Sequence, residues 1–316
     1  MKIMKRTLSL FLLICMAALP LASCGKESEG GVSVVTTIFA PYDFARAIGG
    51  ESVNVKMLLS PGADSHSYAP TPKDMLALNK CDIFICVGGT SDAWIEKILD
   101  SIENPDMKII KLLEHTEGLI CSDHGHEHGE EHEHDHDHDH GEYDEHVWTN
   151  PRNAALAAEA IAAALCEEDA ENADTYNANL AAYKWELAAL DAEFKSIVEA
   201  GARKELVFGD RFPLIYFTKA YGLTYHSAFP GCASNTEPSA ATLAALINKV
   251  KEENIPAVFH LELSTGNIAE TICEATGAKK LRFNACENVS KDDFAAGVTY
   301  LELMRHNAEV LREALS

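Results

Sequence analysis

The sequence predicts an α/β protein of two lobes, each a four-stranded, mainly parallel sheet flanked by helices, the two joined by a long rigid α-helix. Three observations predict it. β-Branched and apolar runs alternate with helical patterns in both halves of the 316-residue chain. A helical pattern without Gly or Pro separates the halves. The apolar fraction, 47%, is ample to fill two cores.

The first 24 residues read as a targeting signal, with Lys2, Lys5 and Arg6 ahead of an apolar stretch from Leu8 to Leu19 and small residues after it. The stretch is too short for a comfortable membrane span. Leu21-Ala22-Ser23-Cys24 resembles the lipobox of bacterial lipoproteins, which implies that Cys24 becomes the lipid-modified first residue of the mature chain. Residues 25–31, GKESEGG, read as a tether that holds a folded body off the bilayer.

Strand candidates in the first half are VSVVTTIF (32–39), VNVKMLL (53–59), DIFICVG (82–88) and MKIIKLL (107–113). Those in the second half are ELVFG (205–209), GLTYH (222–226), PAVFHL (256–261) and KKLRFN (279–284). Strand–helix alternation implies parallel pairing, one sheet per half. Asn150-Pro151 is a helix start, Asn as cap and Pro at the first helical position. A second helix follows, on which Tyr176, Leu180, Tyr183, Leu187, Leu190, Phe194 and Ile197 recur at spacings of four and three. The expected organisation is a first lobe over 32–167, a linking helix over 168–201 and a second lobe over 202–316.

The formal net charge is −23, and loss of the three signal-segment cations brings the mature chain to about −26. Such a field attracts cations and repels nucleic acid, so no nucleic-acid partner is expected. Beyond Cys15 and Cys24 the cysteines are Cys81, Cys86, Cys121, Cys166, Cys232, Cys273 and Cys286. Seven is odd, and no spacing makes a C-x-x-C zinc knuckle.

Ligands of open α/β sheets sit beyond the carboxyl ends of the strands. Four places there carry polar residues suited to chemistry: His66 in SPGADSHSYAP, His146 in DEHVWTNP, Asp210 after the fifth strand, and His260 with Glu262 in FHLELS. In an extended strand residues two apart face the same way, so His260 and Glu262 can address one ion together. With His66 and His146 they supply three imidazoles and a carboxylate, a donor set suited to four-coordinate zinc. Each residue also has a plain structural reading: a loop histidine, a histidine bonded to backbone, a helix-capping glutamate. His226 and His306 are read as structural, with His226 in reserve.

The lipobox, PGADSHSYAP, EHVWTNP, the long helix, DRFPLIYFTKAYGL, TEPS (236–239) and ELSTGNIAETICEATGAKK together resemble the solute-binding lipoproteins of bacterial zinc and manganese ABC importers, over essentially the whole mature chain. The resemblance implies His66 and His146 as first-lobe ligands, a carboxylate near the end of the third strand of the second lobe, here Glu262, and a cleft between lobes with limited closure. Zinc members carry a third histidine ahead of the DRFPLIYF motif, and manganese members a glutamate; this chain has Gly209. His260 is the expected substitute and Asp210 the alternative.

Between the fourth strand and His146 lies a histidine run, residues 122–141, with His124, His126, His128, His132, His134, His136, His138 and His140 interleaved with acid. Nothing in it can build a core. It reads as a loop of weak zinc sites that gathers or senses the ion, in the place where zinc members carry a His-rich loop. Its imidazoles bind only when neutral, so capture should fade as pH falls through about 6.5.

The expected function is therefore extracytoplasmic capture of Zn2+, with Mn2+ the alternative cargo, and delivery to an ABC permease and its ATPase. The expected protein is a monomer, anchored to the outer face of the cell membrane, or periplasmic where an outer membrane exists. A zinc-binding adhesin or chaperone is a further reading. An enzyme is not expected, since four protein ligands would close the zinc shell.

Overall fold

The computed structural model describes residues 31–65, 68–89, 92–99, 101–121, 143–229 and 238–316. The signal, Cys24, His66, the histidine run and Cys232 lie outside them.

In the first lobe, β1 (Val32–Thr36), α1 (Phe39–Gly49), β2 (Val53–Met57), α2 (Pro72–Leu78), β3 (Ile83–Cys86), α3 (Ala93–Leu99) and β4 (Lys108–Lys111) follow one another. The sheet order is β2-β1-β3-β4, all pairs parallel. Two helices then connect the lobes, α4 (Pro151–Glu168) and α5 (Ala173–Ala200). The second lobe holds β5 (Glu205–Phe208), α6 (Ile215–Tyr221), β6 (Thr224–Ser227), α7 (Ala240–Glu252), β7 (Ala257–Leu261), α8 (Asn267–Thr276) and β8 (Lys279–Phe283). Its order, β6-β5-β7-β8, repeats that of the first sheet, again all parallel. Two helices end the chain, α9 (Lys291–Ala296) and α10 (Tyr300–Ala314).

Both sheets therefore have a point where the strand order reverses, between β1 and β3 and between β5 and β7. Crevices for ligands form outside the carboxyl ends of such strands.

The strands stop earlier than their apolar runs. Ile38 and Phe39 prolong the run of β1, yet Phe39 already begins α1, and both side chains are buried against it. Asn150 caps α4 as expected, its side chain accepting from the Arg152 amide at 3.0 Å with Pro151 next.

The linking helix α5 spans 28 residues, about 42 Å at 1.5 Å per residue. Its buried stripe is Tyr176, Tyr183, Leu187, Leu190, Phe194, Ile197 and Val198, with Leu180 half-buried. The stripe belongs to one apolar core that runs through both lobes. Phe44 of α1 meets Tyr300 of α10 edge to face at 5.0 Å, and Phe194 meets Phe217 at 4.9 Å. On the outer face of α5, Glu186 and Glu193 pair with Arg305 and Arg312 of α10. A shared core of this kind resists hinging, because opening it would expose apolar surface at about 25 cal/mol per Å2.

Six described cysteines, Cys81, Cys86, Cys121, Cys166, Cys273 and Cys286, are free thiols.

Candidate metal centre

His146 sits two residues ahead of Trp148 in the short turn leading to α4 and is 2% exposed. Its backbone N–H donates to Asp144 Oδ1 at 3.0 Å, and its Nδ1 lies 3.1 Å from the same oxygen. Burial works to raise the Asp144 carboxyl, but the His146 contacts win and hold it below the usual carboxylate range. A carboxylate on Nδ1 fixes the tautomer and orientation of the ring, the arrangement that makes a histidine a good ligand.

Just ahead of this turn, Cys121 and Tyr143 form an antiparallel bridge, and the Asp144 N–H donates to Ile120 O at 2.8 Å. Tyr216 of α6 grips both sides of this neck, accepting from the Ile120 N–H and donating to Asp144 O. In sequence the histidine run falls between Cys121 and Tyr143, the two residues of this bridge.

A cavity of about 20 Å3, room for one water-sized occupant, opens at the reversal point of the first sheet. Thr37 and Val87, which follow β1 and β3, line it with Ser65, Asp92, Glu145, Trp148 and Glu287. Ser65 precedes His66, Glu145 precedes His146, and Glu287 comes from the second lobe. The Ser65 hydroxyl donates to Glu287 Oε1 at 2.5 Å. Asp92 accepts from the Val87 and Gly88 amides at 2.6 and 3.1 Å, and burial raises its carboxyl to about 6. Thr37 Oγ1 is buried and makes no hydrogen bond among the described residues.

The second-lobe residues expected as ligands lie elsewhere. His260 packs within its own lobe: its Nδ1 is 3.0 Å from Leu261 O, and its ring covers Gly266. Glu262 accepts the Ala285 N–H at Oε2 (2.8 Å) and the Cys286 N–H at Oε1 (2.9 Å). Burial pushes its carboxyl up to about 7 despite these two bonds. Asp210 is 7% exposed and bonded to the Arg211 and Leu261 amides at 2.8 and 3.0 Å. Among the described residues no three of His, Cys, Asp or Glu come together in a way that could hold a metal, so His146, His260 and Glu262 are not gathered on one point. The expectation fails on strand length. β7 ends at Leu261, so the two-residue alternation that paired His260 with Glu262 no longer applies at Glu262. His226 is structural, its Nε2 2.7 Å from Glu205.

Gly209 is a packing position. A Cβ there would lie 2.5 Å from the Ala269 N and Cα atoms of α8, so no side chain fits between strand and helix. The side chain of this turn that reaches the first lobe is Arg211, whose Nη1 meets Asp64 at 3.2 Å. Gly209→Ala should cost about 1–3 kcal/mol in urea unfolding by overpacking; an unchanged midpoint would show that α8 moves aside freely.

Glu287 lines the cavity and was not among the candidates that the sequence offered. The one available signal was its place four residues beyond β8, at a strand end like the other candidates.

Two parallel sheets on one rigid helix, with polar loops meeting where the carboxyl ends of their strands face each other, define a cleft-type solute-binding protein. A family profile described as zinc-uptake complex component A, periplasmic (ZnuA), matches residues 34–314, and the chain belongs to that family. Among curated proteins it is 29% identical to the zinc-binding lipoprotein AdcA of Streptococcus pneumoniae, over 96% of this chain and 60% of that protein. It is also 29% identical to the high-affinity zinc uptake system protein ZnuA of Bacillus subtilis, over 93% of each. The chain thus spans about 60% of the length of the first of these relatives. The crystal structure of the Zn(II)-bound ZnuA-like domain of Streptococcus pneumoniae AdcA superposes with a TM-score of 0.73 at 26% identity, covering 90% of this chain and 99% of that one. No helix among the described residues is long and apolar enough to cross a membrane.

Proposed function

We propose that this chain is an extracytoplasmic solute-binding lipoprotein that captures Zn2+ between its lobes and delivers it to an ABC permease driven by its ATPase. The observation that carries this reading is His146, a buried imidazole with Nδ1 on a carboxylate, placed in the chain between Glu145 and Trp148, which line a cavity together with Glu287 of the other lobe. We assign His66 and His146 as the imidazole donors and Glu287, in place of Glu262, as the second lobe's carboxylate. Family membership and the zinc named for both relatives support the cargo.

Cys24 is the lipid anchor in this reading, and the protein acts as a monomer on the outer face of the membrane. The histidine run collects zinc at the neck and raises its concentration beside the cleft. The role is binding and release, without catalysis.

The test is a zinc and manganese titration of the chain beginning at Gly25, by calorimetry with a competing chelator, on the wild type and on a deletion of residues 122–141. One tight zinc site in both, with several weak sites missing from the deletion, is the expected result. Loss of the tight site with the loop would make the loop the main site and overturn the assignment. A tighter manganese site would move the cargo.

A further inference from the structure

His146 belongs to the first lobe, yet both flanks of its turn are held by tyrosines of the second. The carbonyl two residues ahead of it, Asp144 O, accepts the Tyr216 hydroxyl of α6 at 2.9 Å. The carbonyl two residues beyond it, Trp148 O, accepts the Tyr300 hydroxyl of α10 at 2.6 Å. Both tyrosine rings are buried.

The Tyr216 hydroxyl does more than hold one carbonyl. Ile120 and Asp144 stand opposite each other in the antiparallel neck, next to the Cys121–Tyr143 bridge. Residues opposed in this way exchange two backbone bonds. Here one is direct, from the Asp144 N–H to Ile120 O at 2.8 Å. The second runs through the phenol: the Ile120 N–H donates to the Tyr216 hydroxyl at 3.2 Å, and that hydroxyl donates on to Asp144 O. A side chain of the second lobe thus completes a backbone pair of the first. Without it the pair would keep one bond, and the backbone of Asp144 would be set less firmly. Asp144 Oδ1 in turn accepts the His146 N–H and lies against its Nδ1. Two links therefore join Tyr216 to the imidazole, the Asp144 backbone and then its carboxylate.

We propose that Tyr216 is a positioning residue for cargo binding: by completing the Ile120–Asp144 pair it sets the carboxylate that orients the His146 imidazole. The second lobe thereby governs the geometry of an imidazole it does not supply. This rests on the zinc reading above, through His146 alone.

The experiment compares wild type, Tyr216→Phe, Asp144→Asn and the double variant, with Tyr221→Phe as control. Tyr216→Phe removes one oxygen from a ring that stays packed, a loss small enough to leave the chain folded. Tyr221 lies further along the same helix and donates its hydroxyl to Asp191 Oδ1 of α5 at 3.1 Å, away from the neck. Zinc affinity is read by chelator competition, and coordination geometry by the visible absorption of Co2+ bound in place of zinc. Tyr216→Phe is expected to bind zinc about 3- to 10-fold more weakly, with an altered Co2+ spectrum. On the Asp144→Asn background the same substitution should change affinity by less than about twofold, because the carboxylate it acts through is gone. The control should lose stability and change neither readout. Affinity and spectrum unchanged in Tyr216→Phe, or an equal loss on both backgrounds, would overturn the positioning role alone; a wild type that binds no zinc would overturn the zinc reading and the positioning role with it.

Discussion

His146→Ala is expected to weaken zinc binding by more than about 100-fold, or about 2.7 kcal/mol. Removing an outer partner of a metal-bound histidine costs 10- to 100-fold, and loss of the imidazole itself must exceed that. The side chain is 2% exposed and already oriented by Asp144, so the wild-type site has little ordering left to do when the ion arrives. Asp144→Asn, which leaves the ring but weakens its hold, should fall between wild type and His146→Ala. Chelator-competed calorimetry measures all three. A tight site that survives His146→Ala would remove the cleft from the reading.

Trp148→Ala should destabilise the chain by about 3–5 kcal/mol. The indole is 1% exposed, in the core that both lobes share, and its N–H satisfies Ala285 O across the lobe boundary. Truncation leaves a cavity and an orphaned carbonyl at once. The Tyr300 hydroxyl donates to the Trp148 backbone carbonyl at 2.6 Å, a bond the substitution leaves in place, so the loss belongs to the side chain. Urea unfolding followed by circular dichroism gives the number. A change below about 1 kcal/mol would mean that the shared core repacks and that the lobes are not locked at this point.

The fold was legible in the sequence because its signals are periodic. The apolar seam on α5 and the cap at Asn150 depend on neighbours three or four residues away, and local spacing records such contacts. Both sheets follow from strand–helix alternation for the same reason. His146 stood out as a candidate because it lies just ahead of the Asn150 cap.

The contacts between the lobes were not legible. Ser65 and Glu287 are 222 residues apart, a distance over which no periodicity runs. Gly209 read as a missing ligand, whereas the close approach of Ala269 demands a residue without a side chain. His260 and Glu262 read as a pair on a strand that stops between them.

The long separation between Ser65 and Glu287 also orders events in time. A chain made amino end first has both His66 and His146 out long before residues 285–289 follow. Contacts so distant in sequence form late, because the intervening chain must first give up its freedom. In the reading proposed above, both histidines are therefore made well before the segment that carries Glu287 to the first lobe, and tight capture of zinc waits until nine-tenths of the length has been delivered.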